Sequence, residues 1–231
     1  MPSCPFRLAS LLAAILCLAA PAAHATDVSA DAPPTHVEDS AVRIGSRTVR
    51  LPAGDWTLVH AKDFHPALAR DVDVTTAWLV LLRDGRFGMA MQLSLPVDDM
   101  KKDRRLPDNP CKAREGALRG DYTHARSELD CLAVFGHHDL QAILQQRSPR
   151  TAKWLARRGV PRIDDGVEFT YAHREGVMLG RVAFYFPAQE FASDDEAAAW
   201  ANALRNAFEP LVERKVTQAD IPPLPAMAGP P

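Results

Sequence analysis

The chain has 231 residues, of which 47% are hydrophobic and 24% charged, and its formal net charge is −2. A chain of this size buries a sizeable core, so disulfides supplement the fold rather than build it. The near balance of charges argues against a general nucleic-acid binder, which needs excess cations to displace the counterions of phosphates.

The first 25 residues have the pattern of a secretory signal peptide. The basic residue Arg7 precedes an apolar run over 8–20, and Ala23-His24-Ala25 provides a small-x-small cleavage site. The run is about 13 residues long, shorter than the roughly 20 that span a bilayer. We therefore expect a mature chain that begins at Thr26, lies in the periplasm or outside the cell, and has no transmembrane span.

Signal-peptide cleavage would leave two of the four cysteines, Cys111 and Cys131. Two cysteines in an oxidising compartment most simply form one disulfide, and the Cys-x-x-Cys spacing of a redox pair is absent. We predict a structural Cys111–Cys131 bridge. Lipidation at Cys17 is the alternative fate of the N-terminal segment, although Ile15 stands where a lipoprotein signal needs a small residue.

Composition divides the mature chain into three parts. Residues 26–40 are acidic, contain two prolines and have few large apolar side chains, which predicts a disordered leader. Residues 215–231 are proline-rich and predict a disordered tail. Residues 41–214 are predicted to form a single α+β domain.

Strand patterns dominate the first half of this domain. Alternating apolar residues and turn signals predict hairpins on either side of Gly45-Ser46 and of Asp84-Gly85, the second being a strong hairpin signal because both turn positions favour a positive φ. A separate strand is predicted from Trp56, and another over 128–136.

Helical signals follow. Ser148 is predicted as the N-cap of a helix over 149–158, after a helix over 139–147. A hairpin over 166–186 then precedes a helix that begins with the capping box at Ser193 and that Pro210 should bend or interrupt. The predicted fold is α+β, with an antiparallel sheet built from hairpins and covered by the C-terminal amphipathic helix and the mid-chain helical pair. The tryptophans all fall in periodic elements and are predicted to belong to the core: Trp56, Trp78, Trp154 and Trp200.

Histidine is the first candidate for site chemistry, because neutral imidazole is a common metal ligand. The candidate positions are His137, His138 and Asp139, with His60, His124 and His173 elsewhere in the chain. Adjacent residues of a strand point to opposite faces, and no His-x-x-x-His helical spacing occurs. We therefore expect no metal and no cofactor.

Catalytic motifs are absent from the sequence. It contains no Gly-x-Ser-x-Gly element and no glycine-rich phosphate loop, so the catalytic residues, if any, are unknown. Neighbouring acids are plentiful, and they are interpreted as solvated loop residues rather than as acid–base pairs. These acids are Asp71 and Asp73, Asp98 and Asp99, Asp164 and Asp165, and Glu168.

A basic stripe lies on the predicted helix after Ser148. Its residues are Arg150, Lys153, Arg157 and Arg158, joined by Arg147 and Arg162. Such a surface suits an anionic envelope component or an acidic protein partner. The alternative is that these side chains are solvated and that the last two complement the negative end of the helix dipole.

The function class that fits these observations is an exported, non-enzymatic envelope-binding or accessory module. The alternative is an exported hydrolase whose catalytic residues are dispersed in sequence. The sequence predicts neither a ligand nor an oligomeric state.

Overall fold

A computed structural model describes residues 24–64, 74–97, 117–124, 128–175, 178–188, 191 and 193–223. It contains two sheets, mostly antiparallel, and three helices, which confirms the predicted mixture of strands and helices. The predicted signal peptide and Cys17 precede this part of the chain, except for the last residues before the cleavage site. Among the described residues, none of the helices combines the length and apolar character that crossing a membrane requires.

The larger sheet has eight strands, and every neighbouring pair is antiparallel. In spatial order these strands are β2 (Thr35–His36), β5 (Asp55–Phe64), β6 (Val74–Arg83), β7 (Arg86–Pro96), β11 (Met178–Pro187), β10 (Gly166–Glu175), β9 (Glu128–His137) and β8 (Ala117–His124). The turn between β6 and β7 has φ of +51° at Asp84 and +76° at Gly85. Positive φ at both positions is what the Asp-Gly signal predicts.

The smaller sheet joins both ends of the described chain. Its order is β1 (Thr26–Asp27), β3 (Ala41–Ile44), β4 (Arg47–Arg50) and β12 (Gln218–Asp220). β3 and β4 form the predicted hairpin around Gly45-Ser46, whereas β1 and β12 add to it in parallel.

The predicted leader and tail therefore differ from the structure. Within 26–40, Thr26–Asp27 and Thr35–His36 pair with other strands and Val37 is buried, and beyond 214 the strand Gln218–Asp220 is followed by the buried Ile221. Backbone hydrogen bonds and single apolar anchors order these segments, so neither needs the apolar run on which the prediction depended. Residues 224–231 of the predicted tail lie outside the described residues.

The three helices are α1 (Leu140–Arg147), α2 (Pro149–Arg157) and α3 (Asp194–Val212). The predicted caps are confirmed, since the Ser148 hydroxyl accepts from Thr151 N and the Ser193 hydroxyl from Glu196 N. α3 continues through Pro210 to Val212, so the proline does not interrupt the helix, which was one of its two predicted effects. A proline so close to the helix end removes one backbone donor while little helix remains beyond it.

Apolar side chains form two main cores. α3 shares one of them with the smaller sheet and with one face of the larger sheet, including Phe169 and Phe184. α1 and α2 share the second core with strand residues that alternate with those of the first core, including Trp78 and Tyr185. All four tryptophans are buried, as predicted.

Candidate functional site

His173 lies on β10 and is 7% exposed. Alternate residues of a strand share a face, so His173 follows Phe169 and Tyr171 on the face that contributes to the α3 core. Its ring stacks on that of Tyr171, with centroids 6.3 Å apart. A buried histidine therefore stands beside a helix rather than on the protein surface.

The end of α3 brings two carboxylates to this histidine. Glu209 and Glu213 are four residues apart, one helical turn, so their side chains are neighbours on α3 and its C-cap. The two carboxylates and the His173 imidazole each offer a ligand atom, and these three atoms all lie within 4.8 Å of one another. One nitrogen and two carboxylate oxygens form a donor set that suits a divalent transition metal.

Gly180 allows this close approach. It pairs with His173 in the ladder between β10 and β11. A Cβ at Gly180 would stand 2.3 Å from Cγ2 of Val212 and 3.2 Å from Cε1 of Phe208. Only a residue without a side chain leaves room for α3 to pass so close to the sheet at this point.

His173 and Glu213 lie close to each other without forming a hydrogen bond. His173 Nε2 and Glu213 Oε1 are 3.7 Å apart, beyond the usual range of a nitrogen–oxygen hydrogen bond. Two ligand atoms that each bind one tetrahedral Zn²⁺ at about 2.0–2.2 Å lie about 3.3–3.6 Å from each other. A shift of a few tenths of an ångström would place both atoms in contact with one ion.

Asp130 faces the other ring nitrogen of the histidine. It is the register partner of His173 on β9, and its Oδ1 lies 3.6 Å from His173 Nδ1. Arg205 of α3 forms an ion pair with the other oxygen of Asp130. At this distance Asp130 does not hydrogen-bond the imidazole, but it stands on the side from which a carboxylate commonly orients the histidine of a metal site.

Polar atoms in this cluster lack hydrogen-bond partners. Both ring nitrogens of His173, the Oη of Tyr171 and Oδ1 of Asp130 are buried and find no partner within the described ranges of the chain. Burial raises the pKa of Tyr171, and the charges of Glu209 and Glu213 raise it further, so the phenol stays protonated and able to donate. Buried polar atoms normally find partners, so a cluster with several unpaired atoms is incomplete as it stands.

Glu168 belongs to a second polar cluster on the opposite sheet face. The sequence predicts that Glu168 is a solvated loop acid, but the residue lies on β10 and is 1% exposed. Its carboxylate accepts hydrogen bonds from His137 Nε2 at 3.1 Å and from Thr170 Oγ1 at 3.0 Å. Burial would raise its pKa, but the hydrogen bonds from His137 and Thr170 and the charge of Arg147 outweigh burial and lower it. Glu168 is therefore ionised at neutral pH.

His60 also points into the interior. Its Nε2 lies 2.7 Å from Ser148 Oγ, and its ring stacks near Trp78. Ser148 Oγ in turn donates to Thr151 Oγ1. This arrangement fixes the start of α2 and gives the serine a capping role.

The remaining predicted ligands do not converge. His138 is exposed beside Asp165, and Asp139 caps α1 by accepting from Ala142 N. Asp164 pairs with the exposed Arg162. His124 lies on β8, whose side chains are outside the described residues, as are the pairs Asp71 and Asp73, and Asp98 and Asp99.

The members of the predicted basic stripe lie in two different environments. Its four members on α2 and at its end are all exposed: Arg150, Lys153, Arg157 and Arg158. Arg150 lies 3.5 Å from Asp31, and Arg158 lies over the ring of Trp154. Arg147 is half-buried and lies close to Glu168 instead, while Arg162 pairs with Asp139 and Asp164.

Cys131 is buried on β9 and takes part in a disulfide. Cys111, its predicted partner, lies outside the described residues, so the pairing itself stays a prediction.

Sequence reasoning considered His173 but missed Glu209 and Glu213. The available signal was two glutamates one turn apart beside the apolar stripe of the last helix. That signal does not reveal which strand faces the helix. Comparison with known proteins finds no protein-family model, curated protein or solved structure that matches this chain.

Proposed function

We propose that this chain is an exported protein that binds a divalent transition metal ion, with zinc as the best fit, through His173, Glu209 and Glu213. The observation that carries the proposal is a buried histidine whose two ring nitrogens have no hydrogen-bond partner among the described residues, although a carboxylate faces each of them. The proposed centre differs from the prediction made from the sequence, which is that no metal is bound.

The proposal depends on α3 covering the sheet face that bears His173, with α1 and α2 on the opposite face. The two shared cores and the close approach at Gly180 support this arrangement. Carboxylates and imidazole suit zinc, whereas calcium and magnesium prefer oxygen ligands alone.

The ligands leave one tetrahedral position for water, for an anion or for a group of a partner molecule. Tyr171 lies two residues from His173 on the same face of β10, and its buried hydroxyl has no hydrogen-bond partner among the described residues. Three protein ligands with an open fourth position are typical of catalytic zinc. The centre therefore fits the exported hydrolase as well as the binding module, and the predicted signal peptide supports a location outside the cytoplasm.

The alternative for the same side chains is an ion-pair network without metal. A protonated His173 between Asp130 and Glu213 would balance their charges, as Lys215 does at Oε2 of Glu213, 2.5 Å away. Addition of zinc distinguishes the two arrangements, because only the metal centre is expected to bind it.

The decisive experiment is calorimetric titration of the chelator-treated full chain with ZnCl₂ at pH 7.5. We expect one equivalent of zinc to bind per chain. His173→Gln should weaken binding at least tenfold, because a nitrogen ligand is lost. Glu213→Gln should weaken it similarly. His138→Gln, at an exposed histidine outside the cluster, is the matched control and should bind as the wild type does.

Binding should weaken as the pH falls, since protons compete for the imidazole and the carboxylates. The metal proposal fails if zinc does not bind, or if His173→Gln and His138→Gln bind it equally well. Either result would favour the ion-pair network.

A second candidate function rests on the exposed basic residues of α2. We propose that Arg150, Lys153 and Arg157 contact an anionic envelope component, because all three are exposed on one helix whose other side, including Trp154 and Leu155, is buried. Substitution of the three by glutamate should abolish salt-sensitive binding to vesicles rich in phosphatidylglycerol. The control is Arg43→Glu, at an exposed arginine on β3. Equal binding by the triple variant and the wild type would refute this function.

A further inference from the structure

The sheet face opposite His173 carries a buried polar cluster that the metal proposal does not use. Glu168 and Tyr185 are register partners on β10 and β11. Arg181 lies on the same face as Tyr185, because alternate residues of β11 share a face. Arg147 follows Leu140 and Leu144 at helical spacing on the buried side of α1, and both leucines share a core with Tyr185.

Three side chains of this cluster have buried polar atoms with no hydrogen-bond partner in the part of the chain that the structure describes. These atoms are Nε of Arg147, Nε of Arg181 and Oη of Tyr185. The two guanidinium nitrogens are donors without acceptor capacity. The three donors lie on or against one sheet face, where the charges of Arg181 and Arg147 both act on Tyr185. Because buried donors normally have acceptors, their unpaired state indicates that an acceptor is missing from this face.

The carboxylate of the cluster already has partners of its own. Glu168 accepts from His137 and Thr170. It balances one of the two guanidinium charges, so the cluster retains an excess of positive charge. Burial raises the pKa of Tyr185, Glu168 raises it further, and Arg181 and Arg147 oppose this rise without cancelling it. The phenol is therefore a hydrogen donor at neutral pH.

We propose that Arg147, Arg181 and Tyr185 bind an oxyanion group of a small ligand, a carboxylate or a phosphate. Guanidinium groups pair with both kinds of oxyanion through directed N–H donors, and the tyrosine adds a neutral donor. Both arginines are half-buried, so the site is shielded yet in contact with solvent. The ligand would supply the acceptors and the negative charge that this face lacks.

The test uses the full chain, treated with a chelator so that no anion binds to a metal at His173. Inorganic phosphate and acetate are titrated separately at constant ionic strength, with chloride as the balancing anion. We expect saturable binding of at least one of them, and the stronger ligand identifies the oxyanion class. Arg181→Gln and Arg147→Gln should each weaken binding at least tenfold, and Tyr185→Phe should weaken it measurably.

Arg150→Gln is the matched control, because Arg150 is an exposed arginine on α2 outside the cluster. Circular dichroism reports whether each variant folds. If the arginine variants do not fold, Tyr185→Phe decides, since it keeps the ring and removes only the unpaired hydroxyl. The proposal is overturned if neither anion binds saturably, if Arg150→Gln loses as much affinity as Arg181→Gln, or if Tyr185→Phe binds with unchanged affinity.

Discussion

Gly180 stands where α3 passes closest to the sheet, opposite His173 in the β-ladder. Gly180→Ala would place a methyl group against Val212 and Phe208, and overpacking of this kind costs about 1–3 kcal/mol. The helix must move outward to relieve the contact, which draws Glu209 and Glu213 away from His173. We expect a lower free energy of unfolding in urea and weaker zinc binding by calorimetry.

The control is the double variant Gly180→Ala/Val212→Ala. Removing the valine Cγ2 makes room for the new methyl group, so the double variant should be more stable than the sum of the two single effects predicts. Strictly additive effects would show that the helix does not depend on this contact.

His60 gives a residue-scale prediction for pH. Burial, and then the positive charge of Arg150, lower its pKa from 6.5 to about 4. The folded protein thus binds fewer protons at His60 than the unfolded chain does between pH 6.5 and about 4. The contribution of His60 to stability is fully present above pH 6.5 and is lost as the pH falls towards 4.

We expect His60→Gln to lose less stability than the wild type on acidification through that window, as measured by urea unfolding at successive pH values. His138→Gln, at an exposed histidine, should follow the wild-type profile. Parallel profiles for His60→Gln and the wild type would contradict the buried, neutral state of His60.

Single residues also show what the sequence could reveal about the site. His173 was visible as one histidine among several, and nothing in its neighbourhood distinguished it from His137 or His60. Its ligand set depends on the register of β10 against β11 and on the depth at which α3 packs. Both depend on contacts between residues distant in sequence, which local periodicity does not encode.

At the scale of elements, the N-cap residues of α2 and α3 differ, because Ser148 is buried and Ser193 is exposed. The buried hydroxyl of Ser148 caps Thr151 N, donates to Thr151 Oγ1 and lies 2.7 Å from His60 Nε2. The exposed hydroxyl of Ser193 caps α3 by accepting a hydrogen bond from Glu196 N. Loss of a cap costs about 0.5–2 kcal/mol, and loss of the His60 partner adds to that cost for Ser148.

We therefore expect Ser148→Ala to lower the free energy of unfolding more than Ser193→Ala. Thermal and urea unfolding of the two variants would measure the difference. Equal losses would mean that the contact with His60 contributes nothing.

Elements with local signals were predictable, and those without were not. The hairpin at Asp84-Gly85 and the helix after Ser148 carry turn and cap residues whose conformational preferences act within a few positions. The strands Thr26–Asp27 and Gln218–Asp220 carry no such signal, because each is defined by the backbone of a distant partner strand. Pro210 shows the opposite case, since a strong local signal for interruption lies two residues before the end of the helix and does not interrupt it.

At the scale of the whole molecule, export and the disulfide can be tested together. The mass of the intact protein from its native host should correspond to a chain that begins at Thr26. Reduction should add two hydrogens, because one disulfide then opens to two thiols. A chain that retains Met1 and gains no hydrogens on reduction would contradict the proposed compartment, and a lipid on Cys17 would indicate an anchored form.

The four-stranded sheet has a consequence for the order of folding. Its inner hairpin forms between neighbouring residues, but β12 pairs with β4 across most of the sequence. Closing so large a loop is slow, and it requires β12, which is synthesised after all the other described strands. The sheet therefore stays open at one edge until β12 has been made, a delay that would keep the chain unfolded for the proposed export across a membrane.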